Sequence, residues 1–224
     1  MNYDLPYREW CEKIHAVNPN VRVAFRFDEN LIPGPWGHYA GGCLQKDDLR
    51  GLLDNMLVQG CRDFGTFNCW EDSRHSGLFF EEDLDSRAVL GHRRFYHPGF
   101  VDAYDVVNPM PCPYPVTGKG PHELRVTVGT VSDAGRVYVQ AGFDGPEGER
   151  VKLTLNGVEP IAVEPYPVCW INGSKGRVSH GVRCEFPVSA LKAGSNVVGY
   201  PALGGVKGYG CKIEIEPKGM AGAR

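Results

Sequence analysis

Between Pro6 and Trp70 the chain reads helix, strand, helix, strand, and the pattern does not recur afterwards. PYREWCEKIHAV (6–17) sets Trp10, Ile14 and Val17 at helical spacing, with proline in the first turn, where its missing N–H costs nothing. Asn18-Pro19-Asn20 stops that helix. VRVAFRFD then alternates with period two, placing Val21, Val23, Phe25 and Phe27 on one face and Arg22, Ala24, Arg26 and Asp28 on the other. DDLRGLLDNMLVQG is a second helix, acidic at its positive end through Asp47 and Asp48 and stopped by Gly60. Its apolar stripe is Leu49, Leu52, Leu53, Met56 and Leu57. CRDFGTFNCWED is the second strand, which sends Gly65, Phe67 and Cys69 one way and Thr66, Asn68 and Trp70 the other. Two such units can neither close on themselves nor cover both faces of a sheet, and their edges would stand open. The pattern therefore predicts the last units of a larger (β/α)8 barrel, with an N-terminal barrel segment missing from this sequence.

Downstream the periodicity changes. LDSRAVLGHRRF (84–95) reads as a final helix, and VVNPMPCPYPVTGKGP as an extended linker rich in proline and glycine. Beyond it, ELRVTV, RVYVQAGF, RVKLTLNG, EPIAVE, YPVCWI, VSHGVRCEFPV, SNVVGYPA and GCKIEIEP are short alternating runs divided by turn residues. That rhythm predicts an antiparallel β-sandwich. The expected organisation is a partial barrel over residues 1–107, a linker over 108–121, a sandwich over 122–218 and a short tail over 219–224. Net charge is −3, divided as −6 over the first 109 residues and +3 over the remainder, a shift that supports a boundary without calling for nucleic acid. No window approaches the roughly 18 apolar residues of a membrane span, and the N-terminus carries no signal-peptide core.

Eight cysteines, at 11, 43, 61, 69, 112, 169, 184 and 211, include no C-x-x-C pair and no histidines at finger spacing, so no metal is called for. Cys11, Cys61 and Cys69 lie in apolar runs as small hydrophobes. Cys169 and Cys184 fall in neighbouring expected strands, which leaves one disulfide and the redox compartment open. The acidic run Glu81-Glu82-Asp83 reads as a solvated helix start.

In a barrel, polar residues at the carboxyl ends of strands and in the loops above them face the active site. Those positions here are Arg26, Asp28 and Glu29 after the first strand, and Asn68, Trp70 and Glu71 after the second. The long intervening loop adds Trp36, His38 and Tyr39 among its glycines and prolines. Paired carboxylates beside flat aromatic rings are what glycoside hydrolysis requires: an acid for the leaving oxygen, a nucleophile or base, and a platform for the sugar. Asp28 and Glu29 are the candidate catalytic carboxylates. Arg26, Trp36, His38, Tyr39, Asn68, Trp70 and Glu71 are candidates for substrate binding, and no cofactor is expected. The competing readings are an Asp28 or Glu29 paired with Arg26, and a Trp70 packed beneath the closing loop.

YREWCEKIHAVNPNVRVAFRFDEN followed by DDLRGLLDNMLVQGCRDFGTFNCWED resembles the last two units of glycoside-hydrolase-like barrels, through the run DNML-x-QG and a strand ending in aromatic and polar residues. VKLTLNGVEP and CEFPVSALKAGSNVV are similar to the β-sandwich accessory domains that follow such barrels, where LNG ends a strand and L-K-x-G-x-N precedes the last ones. The resemblance implies carbohydrate as substrate and carboxylate acid/base chemistry. It also implies a nucleophile on the seventh strand, at Asp28, and an acid on a fourth strand that this sequence does not contain. Alone, such a chain is expected to be inactive. A second reading makes the sandwich a non-catalytic carbohydrate-binding or structural module, with Trp170, Asn172, Lys175, Arg177 and Tyr209 as its candidates. A third is a barrel hydrolase or isomerase of other specificity.

Overall fold

The computed structural model describes residues 7–28, 46–61, 63–67, 89–98, 121–166, 170–171, 177–178 and 180–220. They form a mostly β structure with two helices, α1 (Tyr7–Val17) and α2 (Lys46–Val58). Strand β1 (Ala24–Asp28) pairs in parallel with β2 (Asp63–Phe67), and α2 lies between them in sequence, giving one βαβ unit. Among the described residues no further parallel strand joins this pair. The register sets Arg26 beside Gly65 and Asp28 beside Phe67. Alternation within each strand alone does not fix this register, which belongs to the pair.

Two antiparallel sheets make up the rest. The larger has the order β3 (Arg94–Tyr96), β12 (Gly208–Pro217), β5 (Ala134–Phe143), β10 (His180–Phe186) and β7 (Ala162–Pro165). The smaller has the order β4 (His122–Val128), β11 (Gly194–Tyr200) and β6 (Thr154–Leu155). A two-stranded hairpin, β8 (Trp170–Ile171) with β9 (Arg177–Val178), completes the described strands. Alternate residues of the two sheets meet in one core, with Val137, Val139, Ala141 and Phe143 from β5, Val182, Cys184 and Phe186 from β10, and Cys211, Ile213 and Ile215 from β12. Val126 and Val128 from β4 and Val198 and Tyr200 from β11 close it from the other sheet. The core-facing positions thus alternate along each strand, as in a sandwich.

One expectation changes here, and one open alternative is decided. Residues 89–95 are not helical: Gly91 adopts a left-handed φ of 76° in a turn, and Arg94–Tyr96 become an edge strand of the larger sheet. A strand upstream of the proline-rich segment thus belongs to the sandwich, while residues 108–120 lie outside the described part. Cys184 is a free, buried thiol, its pKa pushed up to about 11 by burial, so it forms no disulfide with Cys169. Cys61 and Cys211 are likewise buried, as small core residues.

The two quoted motifs have a shared structural purpose. Asn156 and Gly157, with φ of 52° and 79°, make the two-residue turn of LNG, a conformation that favours Asn-Gly. The Asn156 amide donates to Ala190 O and Asn196 Oδ1, each at 2.8 Å, and Asn156 Oδ1 accepts from Val197 N at 2.9 Å. Asn196, fully buried, donates to Lys192 O and Gly194 O. LNG and L-K-x-G-x-N are therefore the halves of one lock across the smaller sheet.

Candidate functional site

The polar residues that the sequence places around a barrel mouth divide sharply by where they fall. Arg26 and Asp28 stand in β1, with Asp28 at its carboxyl end opposite Phe67, the residue before Asn68. Glu29, Trp36, His38, Tyr39, Asn68, Trp70 and Glu71 lie outside the described residues, as do Asn172 and Lys175. The backbone register thus brings one candidate carboxylate to the end of the parallel pair. Among the described residues no three His, Cys, Asp or Glu side chains converge as a metal site requires, and no helix is long and apolar enough to cross a membrane.

What the structure does assemble is a polar junction between the βαβ unit and the sandwich. Helix α2 is buried continuously from Gly51 to Met56. Its sequence explains how both sides are covered: Leu52, Leu53 and Met56 form one stripe, while Asp47, Gly51, Asp54 and Asn55 lie on the opposite side at helical spacing. The second stripe meets the sandwich. Asp54 accepts from Tyr96 Oη, from Thr130 N at 2.6 Å and from Thr130 Oγ1 at 2.8 Å. Asn55 donates to Thr127 O at 2.8 Å. Gly51 passes the β3 backbone so closely that a Cβ there would overlap the Phe95 carbonyl oxygen.

Behind Tyr96 lies Arg94, fully buried yet fully engaged. Its guanidinium grips Asp133 with two bonds, of 2.7 and 2.9 Å, and donates to the carbonyls of Val89, His92 and Thr130 and to Tyr96 Oη. A buried charge survives only when paired and hydrogen-bonded in this way. Burial alone would raise the Asp133 pKa, but Arg94 and the Gly91 N–H outweigh it and hold the carboxyl below its ordinary value.

A second charged cluster covers the outer face of the larger sheet. Glu214, almost fully buried, accepts from Gln140 at 2.7 Å and from Arg183 at 3.0 and 3.1 Å. Burial pushes its carboxyl up in pKa, against the pull of Arg183, Gln140 and Arg93. Arg93 bridges onward to Asp47 of α2 at 2.6 Å. Two aromatic rings on this face carry cations: Arg183 stacks 3.5 Å above Tyr138, and Lys212 sits 3.8 Å from the centre of Phe95. With their cations in place, these faces are not open platforms for a sugar. The cluster reads as a satisfied structural network.

No family model matches the chain, and neither does any curated protein. Among solved structures it is similar to part of two glycoside hydrolases of family 86. One is a β-porphyranase from the human gut bacterium Bacteroides plebeius, with 15% identity and a TM-score of 0.36 over 56% of this chain and 20% of that one. Another is BuGH86 in complex with neoagarooctaose, with 12% identity and a TM-score of 0.35 over 55% of this chain and 18% of that one. The chain spans about a fifth of the length of each.

The junction residues Asp54, Asn55, Arg94 and Asp133 were not among the candidates read from sequence. Their signal was present in part. Asp54-Asn55, opposite the apolar stripe, reads as an ordinary solvent face, whereas Gly91 breaks the pattern around Arg94.

Proposed function

We propose that this chain is the C-terminal part of a glycoside-hydrolase-like enzyme, in which the βαβ unit forms one wall of a (β/α) barrel and the sandwich buttresses it. The observation that carries this reading is the parallel β1–β2 pair joined by α2, with Asp28 at a strand's carboxyl end. Active sites of such barrels form at that end. In the whole enzyme Asp28 or Glu29 acts as nucleophile or base. Trp70 floors the sugar site, and Arg26, Trp36, His38, Tyr39, Asn68 and Glu71 bind hydroxyls or shape the pocket. The acid comes from another strand of the barrel, as the two-carboxylate mechanism requires.

The exposure of α1 is consistent with this. Trp10, Ile14 and Val17, its apolar stripe, are 39%, 40% and 88% exposed, as a barrel helix awaiting a neighbouring unit would be. The test is to extend the reading frame upstream and assay the longer polypeptide on aryl glycosides and on neoagaro-oligosaccharides. Cleavage lost in Asp28→Ala supports the proposal. An in-frame stop directly upstream, or cleavage by residues 1–224 alone that Asp28→Ala abolishes, overturns it.

A further inference from the structure

Helix α2 is the covalent route from β1 to β2, and the sandwich holds it from one side at three heights. Near its start Asp47 takes the Arg93 side chain, which also lies 3.9 Å from Glu214. One turn on, Gly51 rests against the Phe95 main chain. A further turn on, Asp54 and Asn55 are gripped by Tyr96, Thr130 and Thr127. Positions 47, 51, 54 and 55 lie on one face and span roughly 12 Å of helix at 1.5 Å per residue. Slippage by a single residue would rotate the helix by about 100° and remove every one of these contacts. The helix thus has one permitted height and one permitted rotation against the sandwich. The opposite stripe, Leu52, Leu53 and Met56, is buried as well, so α2 has no compliant solvent side along these two turns.

We propose that Asp54, seconded by Asp47, is a positioning residue: through it the sandwich sets the placement of α2 and hence the alignment of the carboxyl ends of β1 and β2, where Asp28 stands. The accessory domain is then a rigid template for one wall of the active site. This rests on the barrel reading for its functional meaning, although the mechanical claim can be tested without any substrate. Thr130 supplies two of the three donors to Asp54, one from its backbone and one from its hydroxyl, so the grip can be weakened by degrees.

Hydrogen exchange followed by mass spectrometry on the full 224-residue chain provides the test. In Asp54→Asn, amides of Ala24–Asp28 and Asp63–Phe67 should exchange roughly tenfold faster or more, while those of β5, β10 and β12 keep their rates, because local opening is separable from global unfolding. Thr130→Val should show the same pattern more weakly, and Thr130→Ser, which retains the hydroxyl, should restore wild-type rates. If Asp54→Asn does not fold, Tyr96→Phe and Arg93→Gln provide the same comparison. Unchanged exchange in β1 and β2 would overturn the proposal, as would uniform acceleration across the sandwich, which marks a merely stabilising contact. Either result leaves the sugar-cleavage assay of the longer polypeptide independent, so the two failures are distinguishable.

Discussion

Arg94 shows why a buried charge in this fold is tied to so many partners. Its carboxylate, Asp133, is partly accessible, so the pair links core and surface. Asp133→Asn should cost about 3 kcal/mol at neutral pH by leaving Arg94 buried without its counter-charge. Because the folded-state pKa of Asp133 is lowered, its contribution is complete above the unfolded value of about 3.9 and is lost as pH falls through the folded value. Denaturant titrations from pH 7 down to pH 2 should therefore show a flatter acid limb below about pH 4 in Asp133→Asn than in wild type. An identical acid limb would assign the acid sensitivity elsewhere. The asparagines of the LNG lock offer a second reading of the same physics. Asn196→Asp cannot donate to Lys192 O and Gly194 O and places a carboxylate in the core. A loss of about 3 kcal/mol in chemical denaturation is expected, whereas Ser195→Ala, on an exposed neighbour, should move stability by less than about 0.5 kcal/mol.

Helix α2 covers strand edges of both sheets, β3 of the larger and β4 of the smaller. Uncovered edges invite pairing with another chain. A fragment beginning at Val89 keeps both sheets but loses this cover, and light scattering should show it self-associating where the full chain does not. A strictly monomeric fragment would mean that β3 and β4 are protected by their own shortness. Gly51→Ala, a favourable change in an ordinary helix, should here destabilise the full chain by about 1–3 kcal/mol, since the methyl meets the Phe95 backbone. The elements themselves were largely legible. Alternation and turn residues located the sandwich strands to within a few positions, because apolar side chains face the shared core at alternate positions even where the polar face is buried as well. The helix expected over 84–95 failed where it met Gly91 and Arg94, whose conformation and burial are decided by Asp133, forty residues away and invisible to a local pattern. The phase between β1 and β2 was hidden for the same reason: period two is a property of one strand, register of a pair.

Across the whole molecule, burial is uneven in a way that composition does not reveal. The sandwich core is closed, with most of its members fully inaccessible, while α1 buries Tyr7 and leaves Trp10 and Ile14 partly and Val17 largely exposed. Arg8 ties α1 to the end of α2 through Val58 O at 2.6 Å, so the helix is held in place by its first turn and presents the rest of its stripe outward. In the 224-residue chain, substituting Ile14→Lys together with Val17→Glu should shift stability by no more than about 0.5 kcal/mol for each surface position. It should also reduce binding of a hydrophobic dye. In a longer polypeptide carrying upstream barrel units, the same double substitution should cost about 2–4 kcal/mol, because the charges would then enter a packed helix interface. Thermal denaturation of the two proteins, each with and without the substitutions, makes the comparison. Equal and small shifts in both would mean that α1 faces water in the complete protein, and the barrel reading would lose the support it draws from this helix.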